Sequence, residues 1–284
     1  MSTRLLQAAE QDAARASTNS GVTLRELSGL EECQAAEAVC NQVFSPDAGT
    51  AAVTVEWLRV LAKTGNYVGG AFEGDQLVAM AVGVRSGPTG ASLHSHVAAV
   101  LGERAGRGIG FALKLHQRAW ALRKEMPSIT WTFDPLVRRN AHLNLVKLAA
   151  RPTDYLPNFY GPLRDAINGD DETDRLLLDW PLQDERVQAV ARGERCAPPE
   201  ITAEESLLLE VGDDGSPRQR QTAAPLLGIA IPADIESLRA THPQLARDWR
   251  LALRDTLGTL MNDGYRYRGF RSEGVYLLAR GDGS

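Results

Sequence analysis

Six residues, Ala105-Gly106-Arg107-Gly108-Ile109-Gly110, narrow the folds open to this chain more than any others. An apolar run, Val97-Ala98-Ala99-Val100-Leu101, precedes them, and a helix-like segment, residues 111–125, follows. A strand, a glycine-rich turn and a helix in that order build an anion site. The turn aims several backbone N–H groups at one point, and the helix N-terminus adds about half a positive charge. Glycine suits such a turn because a phosphate approaches the backbone closely and some turn positions need positive φ. Arg107 adds a cation matched to phosphate oxygens.

Two familiar phosphate loops fit poorly. A Walker loop ends in Gly-Lys-Ser/Thr, whereas this one continues Gly110-Phe111-Ala112, which argues against a P-loop NTPase. A dinucleotide fold needs G-x-G-x-x-G/A and an acid about 20 residues on, at the end of the next strand. Asp134 does end the next apolar strand, residues 129–133, but the glycine spacing fails. Counted from Gly106 the last position is Phe111, and from Gly108 it is Leu113. A nicotinamide-dinucleotide-binding oxidoreductase therefore stays as the lesser alternative.

The segment resembles the acyl-CoA loop of the GNAT superfamily of N-acyltransferases, which reads Q/R-x-x-G-x-G/A between the fourth strand and the third helix. Ala105 takes the Q/R position, Gly108 the first glycine and Gly110 the second, with Arg104 and Arg107 flanking. Leu93-His94-Ser95-His96-Val97 reads as the fourth strand and residues 129–135 as the fifth. Residues 139–145 start a fourth helix, and Asn140 sits where the family often places an Asn near the cofactor. The stretch 130–161, with Asn158-Phe159-Tyr160-Gly161, is similar to a poorly characterised subgroup of this superfamily. The resemblance covers roughly residues 22–182. It implies an acyl-CoA cofactor, acetyl-CoA by default, held by Ala98, Val100, Arg104, Ala105, Gly106, Arg107, Gly108, Ile109, Gly110 and Asn140.

The rest of the chain agrees in order. Residues 22–27 alternate apolar and polar, as a half-buried strand does. Residues 30–44 have helical spacing, and residues 45–49 break it. Thr54 caps a second helix, 55–63, with Glu56 in its first turn. Residues 67–72 and 76–84 read as strands joined by Glu73-Gly74-Asp75, a hairpin signal, with a turn at 86–90. Another strand falls near residues 175–180.

Residues 184–204, with Pro198-Pro199, read as a linker. Beyond it come strands at 206–211 and 226–231. A helix then places Leu245, Trp249, Leu253 and Leu257 on one side, and Gly264 stops it. Strands at 265–270 and 274–279 close the chain. This region shows no second glycine-rich loop and reads either as a plain α+β cap or as half an acyltransferase unit without its cofactor loop. The expected organisation is a flexible arm (1–21), a GNAT-like domain (22–183), a linker (184–204) and a C-terminal α+β region (205–284). The expected fold class is α/β (α+β), a mixed, mostly antiparallel sheet with flanking helices.

Composition excludes some partners. A net charge of −5 and a pI near 5.6 argue against a broad basic face for nucleic acid. No apolar run reaches the 18 or more residues of a membrane span, and residues 1–20 lack the apolar core of a secretory signal. These features predict a cytoplasmic protein; the resemblance implies a small-molecule amine as its substrate, with homo-oligomerisation left open. Cys33, Cys40 and Cys196 have no metal-ligand spacing and read as free thiols in a reducing compartment.

The chemistry that the resemblance implies is direct attack of a bound amine on a thioester carbonyl. Backbone N–H groups of the fourth strand, around residues 97–100, would hold the oxyanion, and side chains would move two protons. His94 and His96 are two apart on a strand, so they are expected on one face. His96 is nearer the oxyanion segment and is the candidate base. Half-buried, hydrogen-bonded structural histidines are the alternative. His-x-His lacks a third metal ligand in sequence, so no metal is assigned.

Asp134 is a base or an ammonium partner, or else caps the turn after it. Glu103 reads as a loop residue. The family often places its acid, a Tyr, about seven residues after the helix-four Asn; here that place is Lys147. Tyr155 and Tyr160 follow, and Tyr160 is taken as the acid. Trp120, Trp131 and Phe133 read as core. The expected function is an acyl-CoA-dependent N-acyltransferase for an unknown primary amine, with a non-catalytic acyl-CoA-binding module as the alternative.

Overall fold

The computed structural model describes residues 3–44, 52–86, 91–161, 171–194 and 206–281. The expected break at 45–49, most of the 86–90 turn, Cys196 and residues 195–204 of the expected linker lie outside the described residues. The chain begins with α1 (Thr3–Ser20), β1 (Thr23–Glu26), α2 (Leu30–Phe44), α3 (Val55–Lys63), β2 (Tyr67–Glu73) and β3 (Gln76–Ser86). Next come β4 (Ser92–Val100), α4 (Ile109–Arg123), β5 (Ser128–Phe133) and α5 (Arg138–Ala141), which runs on as a π-helical turn, His142–Lys147. β6 (Arg151–Leu156), β7 (Arg175–Pro181), α6 (Glu185–Ala191), β8 (Leu207–Val211), β9 (Pro217–Gln219) and β10 (Leu226–Ala230) follow. The last elements are α7 (Ile235–Thr241), α8 (Pro243–Leu253), a π-helical turn Arg254–Gly258, α9 (Thr259–Asn262), β11 (Tyr265–Arg271) and β12 (Val275–Arg280).

Two compact units divide the chain: Met1–Trp131 with Trp180–Glu194, and Thr132–Asp179 with Arg195–Ser284. The boundaries differ from the expected 22–183 and 205–284, because residues 132–179 group with the C-terminal region. In the first unit the strands lie in the order β1-β2-β3-β4-β5. All neighbours are antiparallel except β4 and β5, which are parallel, with α4 as the crossover. The expected mixed, mostly antiparallel sheet with flanking helices is therefore present.

Alternation along the strands decides what each sheet face buries. Val68, Met80, Val82 and Ala99 pack with Leu58, Leu61, Ala36 and Cys40 of α2 and α3. Tyr67, one residue from Val68, faces the other way. Its hydroxyl is 2.8 Å from His116 Nδ1, and its ring meets Trp120 of α4 edge-on. Thr54 caps α3 by accepting from the Trp57 N–H, as its sequence position predicts.

Within the segment expected as a flexible arm, Thr3–Ser20 form α1. Its Ala9, Ala13 and Ala16 make a stripe of small buried side chains, which lets it pack closely on α4. On the same stripe, Asp12 lies 3.6 Å from the buried Arg118 of α4. Within the expected linker, Glu185–Ala191 form α6. Asp184 caps α6, its carboxylate accepting from the Arg186 N–H at 2.9 Å.

The second unit holds an antiparallel β6–β7 pair and a five-stranded sheet of order β11-β12-β10-β8-β9, in which β8 and β10 are parallel. The additional short strand β9 lies in what reads as loop, where Pro217 and its neighbours carry no apolar alternation. Pro243 opens α8, and Gly264, at φ 86°, ends the helical run as expected.

Candidate acyl-CoA site in the first unit

The glycine turn has the backbone its sequence calls for. Gly106 and Gly108 stand at φ 82° and 83°, where a side chain would be strained, and space is open around Gly106. Gly108 is the N-cap of α4; it supplies no capping side chain, and the first turn carries no acid. The first turn of α4 is therefore left without a capping side chain, the backbone geometry that the strand-turn-helix order predicts. A cavity of about 150 Å³ opens beside the turn, lined in part by Arg15, Asn19 and Ser20 of α1 and by Arg107, Gly108 and Phe111.

Arg107 is not a free cation. Its guanidinium donates to Glu73 Oε1 at 2.6 Å, while Arg104 Nε donates to Glu73 Oε2 at 2.9 Å. The Arg104 hydrogen bond, with both arginine charges, holds the Glu73 carboxyl below its usual range. Any phosphate at this turn competes with Glu73 for both guanidiniums.

β4 provides a second donor array. It pairs with β3 from Ser92 to Val100, but its parallel pairing with β5 is confined to Leu93↔Ile129 and His94↔Thr130. Beyond His94 the two strands fork. The Leu101 N–H donates toward β3, to the Val78 carbonyl at 3.0 Å. Alternation then turns the Ala98 and Val100 N–H groups to the opposite edge, toward the fork. Both N–H groups thus point away from the β3 ladder.

The expectation that His94 and His96 share a face rests on regular alternation, and β4 is not regular there. Ser95 pairs with Gly83 and Val97 with Val82, so His96 is the extra residue of a bulge. His96 is exposed. His94 is half-buried, with Nδ1 3.0 Å from Thr130 Oγ1, and matches the structural alternative. Burial pushes the His94 pKa down, and the charges of His96 and Lys114 push it further.

Sequence reasoning missed Lys114. Its Nζ is buried, donates to Ser95 Oγ at 2.9 Å and to Gln117 Oε1 at 3.3 Å, and lies 3.9 Å from the centre of the Trp131 ring. Burial pushes its pKa down to about 7. The signal was present in the sequence. α4 is apolar on most sides, with Ala112, Leu113, Leu115, Ala119 and Trp120, so the Lys114-Gln117-Arg118 stripe has to be buried.

The remaining candidates, Asp134, Tyr160 and Asn140, lie in the second unit. Asp134 is locked in an ion network. Arg250 grips it with two hydrogen bonds of 2.9 Å, Arg239 donates to the same carboxylate, and Arg175 lies 3.6 Å away. Burial favours its neutral form, but Arg250 foremost, then Arg239 and Arg175, hold its pKa well below the carboxylate range. It also accepts from the Leu136 N–H at 2.9 Å, so it caps its turn as the alternative reading requires.

Asp171 bridges Arg239 and Arg250, and Asp174 accepts from Arg254 at 2.6 Å. The Tyr155 hydroxyl is buried and donates to Asp174 at 2.7 Å. Tyr160 is partly exposed, with its hydroxyl 2.9 Å from Thr132 Oγ1. Asn140 is half-buried in α5, and its backbone N–H donates to the Val137 carbonyl at 3.0 Å. Among the described residues no cluster of three His, Cys, Asp or Glu side chains could hold a metal, and no helix is long and apolar enough to cross a membrane.

No family model and no curated relative matches the chain. Solved structures that resemble it include an N-acetyltransferase from Staphylococcus aureus, 16% identical, with a TM-score of 0.47 over 57% of this chain and 99% of that one. The ribosomal-protein-S18-alanine N-acetyltransferase of Escherichia coli is 13% identical, with a TM-score of 0.45 over 57% of this chain and 95% of its own. A Salmonella typhimurium protein described as an acetyltransferase and solved with its cofactor acetyl-CoA is 15% identical, with a TM-score of 0.46 over 58% of this chain and 95% of its own.

Proposed function

We propose that this chain is a GNAT-like, acyl-CoA-dependent N-acyltransferase that takes acetyl-CoA as donor and a small primary amine as acceptor. One observation carries the reading. A parallel strand pair forks after His94↔Thr130, and its β4 arm leads through a positive-φ glycine turn into the uncapped N-terminus of α4. That arrangement sets two donor groups in sequence along one stretch of chain. The α4 N-terminus suits a pyrophosphate, and the Ala98 and Val100 N–H groups suit a carbonyl oxygen that gains charge. Bound acetyl-CoA would supply the activated thioester. His96, exposed on the bulge, is the candidate to take a proton from the amine.

The non-catalytic acyl-CoA-binding module remains the second reading. Asp134 favours it, since arginines occupy its carboxylate, and so does Lys147 in place of the expected Tyr. The nicotinamide reading calls for a doubly wound parallel sheet, and the first unit's sheet is antiparallel apart from β4 and β5.

Thermal-shift measurement with acetyl-CoA, CoA, NAD and FAD tests the proposal. Stabilisation by acetyl-CoA and CoA but not by the dinucleotides is expected, and stabilisation by NAD or FAD alone overturns it. Thiol release with a panel of amines then separates enzyme from binding module.

A further inference from the structure

The vertex of the β4–β5 fork is occupied by a charged side chain from α4. The last paired residues are His94 and Thr130. The next residue on each strand, Ser95 on β4 and Trp131 on β5, touches the same amine. Lys114 Nζ donates to Ser95 Oγ at 2.9 Å and stands 3.9 Å from the centre of the Trp131 ring. Ser95 is also the residue from which the bulge begins, the irregularity that exposes His96 and sets the register of Ala98 and Val100.

We infer that Lys114 is a positioning residue. Wedged between Ser95 and Trp131, it holds the fork open and fixes the bulge, so that the Ala98 and Val100 N–H groups face an acyl carbonyl. This rests on the acyl-CoA reading above.

The surroundings make a purely structural origin a poor account. An ammonium taken out of water is costly unless a counter-charge or several hydrogen bonds repay it. Lys114 has two neutral hydrogen-bond partners and a ring face, and neither Ser95, Gln117 nor Trp131 carries charge. The titratable groups that couple to this region by charge are His94 and His96 on β4. Gln117 Nε2 is itself buried without a hydrogen-bond partner among the described residues, so the cluster is poorly optimised for stability. A methionine would fill the space with less desolvation.

The test compares acetyl-CoA with CoA by isothermal titration calorimetry in the full chain. The two ligands share the nucleotide, pyrophosphate and pantetheine parts and differ at the acyl group. Wild-type protein should prefer acetyl-CoA. Lys114→Met should fold with an unchanged or higher melting temperature and keep its CoA affinity within about twofold. Its preference for acetyl-CoA should fall roughly tenfold. Ser95→Ala, a milder change at the other end of the contact, should lose part of the same preference. Gln117→Leu, which leaves the Ser95 contact intact, should keep it.

If Lys114→Met and Ser95→Ala retain the wild-type preference, the wedge is refuted while the acyl-CoA reading stands. Equal loss of both ligands in Lys114→Met and Ser95→Ala also refutes it, since that marks general damage. If wild-type protein binds neither ligand, the acyl-CoA reading itself falls and the inference with it.

Discussion

The two units of this chain bury charge in opposite ways. In the second unit the charges answer one another: Asp134, Asp171 and Asp174 face Arg175, Arg239, Arg250 and Arg254 in a continuous network. In the first unit, apart from the Asp12–Arg118 pair, the conspicuous buried charge is Lys114, which has only neutral partners. A network that satisfies itself holds a fold together and leaves little reactivity. A lone amine at the vertex of a fork costs stability and is retained for what it positions. Asp134, attractive in sequence as a base or ammonium partner, is engaged by arginines, and the proposed donor chemistry rests on β4 and its turn.

The largest expected effects set stability in one unit against rate in the other. Arg250→Met removes the two-point partner of Asp134 and one of the partners of Asp171, and should cost roughly 3–5 kcal/mol in chemical denaturation. The sole tryptophan of the second unit, Trp249, reports this transition. A loss under 1 kcal/mol would mean that the network is not what holds that unit. His96→Gln should keep the melting temperature and acetyl-CoA affinity but lose ~10² to 10⁴ in turnover, measured by thiol release with an active amine. Near-normal turnover would remove His96 as the base.

Next in size is the response to pH, where both units should gain stability as pH rises but in different windows. The Asp134 pKa is lowered on folding, so its contribution is present above the unfolded carboxylate value, about 4, and is lost as pH falls toward the folded value. The Lys114 pKa is also lowered, to about 7, but for a base this means that the folded state binds fewer protons than the unfolded one. Its cost is full below pH 7 and is relieved as pH rises toward about 10.4, a change of a few kcal/mol in order of magnitude. Denaturation between pH 6 and 10, followed in a Trp249→Phe background, should show the first unit gaining stability, and Lys114→Met should flatten that gain. A gain of the same size in Lys114→Met would assign it to another group.

Smaller still are the effects at the turn. Gly108→Asp places a β-carbon at φ 83° and a negative charge at the α4 N-terminus, so CoA affinity should fall at least about tenfold, or about 1.4 kcal/mol. Arg107→Ala should weaken CoA less than Gly108→Asp does, because Glu73 already engages that guanidinium. Glu73→Gln should modestly tighten it. If Arg107→Ala costs more than Gly108→Asp, the side chain and not the backbone carries the anion site.

Local pattern made most of the first unit legible. The hairpin at Gly74, the Thr54 cap, the glycine turn and the crossover helix each follow from residues near one another in sequence. What escaped depended on partners far apart in sequence. Asp134 reads as free because Arg239 and Arg250, more than a hundred residues away, give no local sign of pairing with it. The β4 bulge was illegible because one extra residue leaves an alternating strand looking almost regular, yet it removes the regular alternation on which a shared face for His94 and His96 rests. α1 was only partly legible, because an alanine-rich, polar helix looks marginal until a buried Arg118 is there to meet its Asp12. Lys114 was within reach, since a helix that is apolar almost all round leaves its polar residues no solvent to face.

Hydrogen exchange with and without saturating acetyl-CoA tests most directly whether the first unit's fork and turn form the donor site. Binding should slow exchange at the Ala98 and Val100 amides and at residues 108–111, the free N–H groups of the α4 N-terminus. CoA should protect residues 108–111 but leave Ala98 and Val100 largely unprotected. Binding that leaves both stretches unchanged would contradict the assignment of the site to β4 and the glycine turn.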